Sequence, residues 1–513
     1  MMDGSELPYL SDIGVAPPDP LKALRRDSHF AVGEMDAGLR GAFFSVARGL
    51  RGGRRCGILT GRKRMEERRM IYASDYGFLP GADGVENARA LQRAADMGGD
   101  IYVDRVGVYD VSDTIVLKSG TRLVFCAGSE VRRHETPDGE TAYLFINRGA
   151  YTREWDEQIE IRGLHLTTGG VCSDPAREGQ KKVITGLGAQ LAFSFIRDLL
   201  VEGYVVKDLP AESFGVQVCT FENARFENLW IEGRKDGVHL GRGRKFVIRH
   251  AVFRTFDDPI ALNAHDYSTS NPQMGWIEDG VIEDCYDLDD EDTTGFFCRV
   301  LAGSWLPWRE GMVVQRSDSV VYSGRVYRVV MPPDGRTFVS RTPPCHEEGL
   351  ATYDGIQWCM AQADETLSCG CRNIVFRDIH LQKKRPVAFS LHFDKDVWSR
   401  SYYPNSEAPV QDNITFENVW VENDVPVFLS TKTPVGTVRV KDCRLGGSVF
   451  RFRHVGDEGI TYPRARLILD GNEYTPIPGA RVEAGEGTAV DVYAGMRVPA
   501  DEELKTQGDC ARF

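Results

Sequence analysis

The stretch "ARFENLWIEGRKDGVHLGRGRKFVIRHAVFRTFDDPIAL", residues 224–262, repeats itself with a shift of 22 residues. FENLWI (226–231) and IRHAVF (248–253) are separated by that shift, and so are the phrases DGVHLG from Asp236 and DPIALN from Asp258. Two different phrases slipping by one identical length is the mark of stacked coils, in which residues one coil apart occupy equivalent places. In that register Val238 and Ile260, and Leu240 and Leu262, point inward. Asp236 and Asp258 stack along the outside of one sheet, with Asp257 at the strand entrance.

The same phrase recurs outward along the chain as IEIRGLHL (159–166), FSFIRDLLV (193–201), GWIEDGVIED (275–284), IVFRDIHL (374–381), ITFENVWVEN (414–423), VRVKDCRL (438–445) and LILDGNEY (467–474). Each is an apolar strand, a polar pair often of the type Arg-Asp or Glu-Asn, then a second apolar strand. No single unit can bury its apolar faces, whereas coils stacked about 4.8 Å apart fill a continuous core and pair every backbone group with a neighbour. A sandwich or propeller would need hairpin turns after each phrase, and none follows. The expected fold is all-β, a parallel β-helix.

The flanks differ from this pattern. ENARALQRAADM (86–97) carries an apolar stripe of Ala90, Leu91, Ala94 and Ala95 and ends at Gly98-Gly99, which predicts a helix covering the exposed first coil. Residues 1–69 are Arg- and Gly-rich without strand or helix period, so poor order is expected there, and translation from Met65 or Met70 is one hypothesis. Residues 286–365 replace the phrase with short strands around the turn signals SDS and PDG, which predicts an inserted small β-subdomain. The division expected is therefore solenoid over 70–285 and 366–480, insertion over 286–365, and a tail over 481–513.

A net charge of -13 over 513 residues argues against nucleic acid or an anionic membrane as partner, because both reward clustered Lys and Arg. No window approaches the roughly 20 apolar residues of a membrane span, no export signal is visible, and a cytoplasmic location is expected. The 12 cysteines lack the dense spacing of a disulfide scaffold. Cys298, Cys345, His346, Cys359, Cys369 and Cys371 crowd one region, yet no CxxC pair supports zinc, and buried structural thiols are the reading. No metal or cofactor is expected.

Three carboxylates at one-coil spacing repel one another, which lifts one carboxyl toward holding a proton near neutrality while a neighbour stays ionised. That is the raw material of acid–base catalysis. Here the residues carry a resemblance. "DYGFLPGADGVENARALQRAAD" resembles the opening of the pectate-lyase-like right-handed β-helix proteins, and the pair "KDG" and "FDDPIAL" resembles the Asn-Thr-Asp-Gly and Gly-Asp-Asp motifs of glycoside hydrolase family 28, the polygalacturonase family. The resemblance implies a right-handed solenoid over about residues 71–475 and hydrolysis of a glycosidic bond. It also implies that Asp236 and Asp258 activate water and that Asp257 protonates the leaving oxygen. An acid facing a base pair across the scissile bond would stand about 6.5–9.5 Å from it and invert the anomeric centre.

The chain departs from that family where Gly-His-Gly and Arg-Ile-Lys are expected. GWIEDGVIED stands in the first place without a histidine, and RVLAG around Arg299 is a poor counterpart for the second. A uronic acid is therefore not implied, and the substrate expected is a carbohydrate of open identity. His239 lies above the same groove, and Asn263, His265 and Asp266 follow the aspartate pair within reach of sugar hydroxyls. FSLHFDKDVWSRSYYP (389–404) adds His392 and Asp394, with Trp398 and Tyr402 as stacking candidates; Trp276, Trp305 and Trp308 carry the same ambiguity between stacking and packing. Two other readings compete: a polysaccharide lyase or fructan-type transferase, for which Arg234 and Lys235 flank Asp236, and a non-catalytic carbohydrate-binding solenoid.

Overall fold

The repeat phrase is built from two chemically different halves, and the computed structural model shows what each does. It describes residues 70–513 except 137, 138, 140–142, 173–182, 268, 269, 291, 292, 398, 456–458 and 496–503. The extension over 1–69 and Trp398 lie outside the described residues. The second member of each polar pair sits at a bend. Asn228, His250, Asp284, Asp378 and Asn418 stack in register with φ between +49° and +56°, continuing a column begun by Gly163 and Gly203. Left-handed backbone favours Gly, Asn, Asp and His, so the pair marks the corner where one face of the coil turns into the next.

The first member of each pair is a rung of charge. Arg249 meets Glu227 at 3.0 Å, and Arg377 lies between Glu283 at 3.5 Å and Glu417 at 3.0 Å. A second column runs Glu157, Arg197, Glu222, Arg244, Glu278, Arg372, with Arg197 at 3.2 Å from Glu157 and 3.7 Å from Glu222. Each such exposed pair is worth only about 0–1 kcal/mol. Their collective effect is on register, because a slipped coil would set like charges side by side.

The result is a right-handed parallel β-helix whose coils contribute to one 28-stranded sheet system. The shift of 22 read from the sequence is the register found: Val238 pairs with Ile260, Leu240 with Leu262, Phe226 with Ile248 and Ile231 with Phe253. These side chains are fully buried, and each such aliphatic or aromatic contributes about 1.5–3 kcal/mol by leaving water. A run of rings, Phe376, Phe389, Phe416, Phe428 and Phe450, continues the core with centroids 4.5–5.6 Å apart. The helix Gly84–Met97 begins where the Asp83 carboxylate accepts from the amides of Val85 and Glu86, and it buries Ala90, Leu91, Ala94 and Ala95 over the first coil as expected. Among the described residues no helix is long and apolar enough to cross a membrane.

Two boundaries differ from the sequence expectation. Cys298–Leu301, placed by sequence in the insertion, pairs with Ile260–Asn263 on one side and Val387–His392 on the other, so it belongs to the solenoid. The inserted strands run from Gly303–Ser304 to Ser368–Cys369, which pair with each other at the root of the insertion, and the strands between them form a five-stranded sheet and a two-stranded one around Val314, Val320, Tyr327 and Trp358. Likewise the tail contributes Val482–Ala484, Ala489–Ala494, Thr506–Gln507 and Asp509–Arg512 to further coils. Short strands separated by turns of unequal length hide the repeat in both places. The insertion is anchored by Asp318, which accepts from Arg400 Nε at 2.9 Å, and by Arg328, which donates to the carbonyls of Tyr267 and Asn271 at 3.1 and 2.6 Å.

Candidate active site

Asp236 precedes the strand Val238–Leu240, and Asp258 precedes Ile260–Asn263 one coil on. The ladder runs through them: the Asp236 carbonyl accepts from Gly215 N at 2.9 Å, and the Asp258 carbonyl from Gly237 N at 3.0 Å. Gly215 and Gly237 have no room for a side chain, since a Cβ would stand 2.6–2.7 Å from the next carbonyl oxygen, so the coils approach closely here. One oxygen from each of Asp236, Asp257 and Asp258 lies within 4.8 Å of the others, the only such group among the described residues. Among the described residues the cysteines form no comparable cluster.

The three carboxyls are unequal. Asp236 is sealed from solvent, and its Oδ2 accepts from His239 Nδ1 at 2.9 Å. Burial would raise it, but the Lys235 ammonium, the hydrogen bond from His239 and the Arg299 guanidinium together hold it well below the usual carboxylate range. Asp258 is equally buried; burial first, and then Asp257 and Asp236, push it well above that range against the pull of Arg299, whose Nε stands 3.2 Å from Oδ2. Its Oδ1 accepts from Phe296 N at 2.7 Å. Asp257 alone keeps a quarter of its side chain exposed, and it accepts a hydrogen bond from Lys235 Nζ, which also lies 3.8 Å from Asp236 Oδ1.

Around this trio the structure gathers several of the residues expected at the site. His239 stacks on the Phe214 ring at 4.2 Å and approaches Asp266 Oδ2 at 3.5 Å. Asn263 Nδ2 donates to the same oxygen at 2.5 Å, and Arg299 Nη2 lies 3.6 Å from it. The expectation that His239, Asn263 and Asp266 open onto a groove is corrected: all three are fully buried, because the segment after Asn263 folds back over the outer face of the sheet. They support the trio from behind. His265 is also corrected. It is buried near Trp305 and against Gly303 at the root of the insertion, and burial, followed by Arg328, lowers it to about 3, so it is a neutral packing residue. His392 and Asp394 pair with each other at 3.2 Å, one coil beyond Arg299, both buried. Trp305 and Tyr402 are core residues, Tyr402 against Phe393.

Three contributors were undervalued by sequence. Arg299 faces the trio because it sits in register with Ala261 and hence with His239, but a longer turn separates this coil from the last, and a constant shift of 22 misses it. For the same reason the coil after Asp258 opens at Phe296, while GWIEDGVIED stacks on the second face beside Gly243–Thr255. Lys235, weighed by sequence only for the lyase reading, lies between two of the carboxylates. Arg385, fully buried, braces the Asp257–Asp258 turn from below: it clasps Asp287 at 2.6 and 2.9 Å, and its Nη1 donates to the Asp257 carbonyl at 3.5 Å. The nearest oxygens of the trio lie within 4.8 Å of one another, shorter than the ~6.5–9.5 Å expected between acid and base carboxyls. The trio is more compact because residues stacked one coil apart share the spacing of the sheet.

Clefts of 260 and 380 Å³ lie elsewhere, one beside Arg122, Glu160 and Asn223, the other beside Tyr462 and Gly487. Neither gathers groups able to do chemistry in the way the trio does.

No family model matches this chain, and no curated protein does. Among solved structures, the chain is similar to the family 28 exopolygalacturonase of Yersinia enterocolitica, at 13% identity over 83% of this chain and 78% of that one, with a TM-score of 0.45. It is similar to the hyperthermoactive exopolygalacturonase of Thermotoga maritima, at 12% identity over 86% and 91%, TM-score 0.44. It is similar as well to PfbA, a surface adhesin of Streptococcus pneumoniae, at 12% identity over 81% and 93%, TM-score 0.40.

Proposed function

We propose that the protein is a glycoside hydrolase acting on an oligo- or polysaccharide. One observation carries the reading: three aspartates from two adjacent coils converge to within 4.8 Å, one drawn toward the ionised form and one toward the protonated form. Groups whose environments separate their proton affinities in this way can divide acid and base work.

The roles follow accessibility. A general acid must touch the leaving oxygen of a bulky sugar, and Asp257 is the exposed member. Asp236 and Asp258 need reach only a water molecule. The proton that burial places on Asp258 passes to Asp257, leaving Asp258 ionised; Lys235 releases Asp257 and turns to Asp236, already 3.8 Å from its Nζ. Asp257 then gives its proton to the glycosidic oxygen as that bond breaks, and the base pair takes one from the attacking water, so protons balance over the cycle.

The lyase reading loses ground because its base would be Lys235. Burial would lower that lysine, but Asp236 and Asp257 push it above its ordinary range, which keeps it an ammonium. Burial of Asp236 and Asp258 favours a second reading, a carbohydrate-binding solenoid without catalysis. Incubating the purified chain with pectic, fructan and galactoside oligosaccharides and weighing the products separates these. Cleavage with gain of water supports hydrolysis, unsaturated products support a lyase, and binding without cleavage supports the second reading.

A further inference from the structure

We propose that the Lys235 ammonium is the resident cation of the aspartate trio, occupying the position that a divalent ion would take and holding the carboxylates in their working arrangement. Three carboxylate oxygens within 4.8 Å of one another form a pocket for positive charge. Lys235 Nζ donates to Asp257 and stands 3.8 Å from Asp236 Oδ1. That Asp236 oxygen is sealed from solvent and receives no hydrogen bond, so an uncompensated acceptor looks toward the ammonium.

The ammonium itself stands over the Phe214 ring, with Nζ 5.5 Å from the centroid, and Phe214 in turn stacks on His239, the second partner of Asp236. The cation is thus placed by the same packing that places the base. A tethered ammonium differs from a metal in having three directional donors and no exchange with solution. The remaining charges that face Asp236 are Asp257, Asp258, Arg299, His239 and, beyond His239, Asp266; removing Lys235 leaves Arg299 as the permanent cation beside them.

The cation assignment stands on geometry alone, whereas its catalytic consequence rests on the hydrolase reading. Isothermal titration of the full chain with Mn²⁺, and separately Ca²⁺, tests the first part. Wild type and Lys235→Arg are expected to show no saturable binding at the trio. Lys235→Ala is expected to bind one ion saturably, at least about tenfold more tightly than the weakest binding the titration detects. The double variant Lys235→Ala/Asp236→Asn should lose the gain. Wild-type binding that Asp236→Asn abolishes would overturn the proposal, and so would a folded Lys235→Ala that gains nothing. Should Lys235→Ala not fold, Lys235→Met, which keeps an unbranched apolar stem and removes the charge, takes its place with the same expectations. For the second part, Lys235→Met should move the acid limb of the kcat/KM profile to higher pH while Lys235→Arg leaves it in place; an unmoved limb in Lys235→Met refutes the positioning role. Absence of hydrolysis in wild type would sink the hydrolase reading and leave the titration to judge the cation.

Discussion

Replacing Arg385 by Met tests whether the aspartate turn is built on a buried ion pair. Arg385 is 1% exposed and its partner Asp287 is sealed, with Nε at 2.6 Å from Oδ2 and Nη2 at 2.9 Å from Oδ1. Arg385 also donates to Thr293 Oγ1 at 2.9 Å and to the carbonyl of Thr255 at 3.4 Å, so it ties three points on the segment that carries Asp257 and Asp258. Methionine keeps most of the stem volume and removes the charge. Asp287 is then left ionised in the interior, a loss of about 3–5 kcal/mol in measured cases. Urea unfolding followed by circular dichroism should show a lower midpoint with little change in slope. Replacing both partners by apolar residues, Asp287→Leu with Arg385→Met, should restore part of the loss, because the orphaned charge is gone, giving a coupling energy of roughly 2 kcal/mol or more. A single Arg385→Met variant within about 1 kcal/mol of wild type, or a double variant as unstable as the two singles summed, would refute the reasoning.

Asp257→Asn should abolish turnover of ordinary glycosides by about 10²-fold or more, with much of it recovered on a substrate carrying an activated aryl leaving group; rescue in Asp236→Asn instead would reverse the assignment of acid and base. Asp258 is raised in the folded state, so it opposes folding at pH values well above its ordinary 3.8 and is neutral in effect below that value. Asp258→Asn should therefore match or exceed wild-type stability at pH 8 and lose that advantage in acid, while activity falls; lower stability at pH 8 in chemical denaturation would count against it. His265 behaves oppositely in acid. Its folded value of about 3 lies below the ordinary 6.5, so the unfolded chain binds the extra proton between those values, and its contribution is present above 6.5 and lost as pH falls. His265→Asn should flatten the decline in stability between about pH 6.5 and 4, and an unchanged decline would show that other groups carry it. On the outer ladder, Arg372→Glu should cost roughly 0.2–1 kcal/mol beside Glu278 in urea unfolding, and Glu278→Gln in the same chain, which removes the like-charge neighbour without adding one beside Arg244, should recover part of it.

The parts of this protein legible in the sequence are those dictated by neighbours one coil apart. The shift of 22 gave the register of Val238 with Ile260, and the capping helix followed from its own apolar stripe. The placement of Asp236 beside Asp258 came from the same arithmetic, because in a solenoid equal spacing in sequence means adjacency in space. The polar pairs were visible too, although their separate tasks, a charged rung and a left-handed corner, emerge only from the backbone angles. What sequence could not determine is whatever depends on coils of unequal length. Arg299 stands beside Asp258 across a longer turn, and Arg385 reaches its partner Asp287 from the turn before Val387–His392, 98 residues further on and after the insertion. Burial was decided by tertiary structure as well. His239, Asn263, His265 and Asp266 occupy outward positions on a strand or the loop after it, yet are closed over by the segment that follows Asn263 and, at His265, by the root of the insertion. Alternation along a strand tells which face a side chain takes, but whether that face meets water depends on what folds over it.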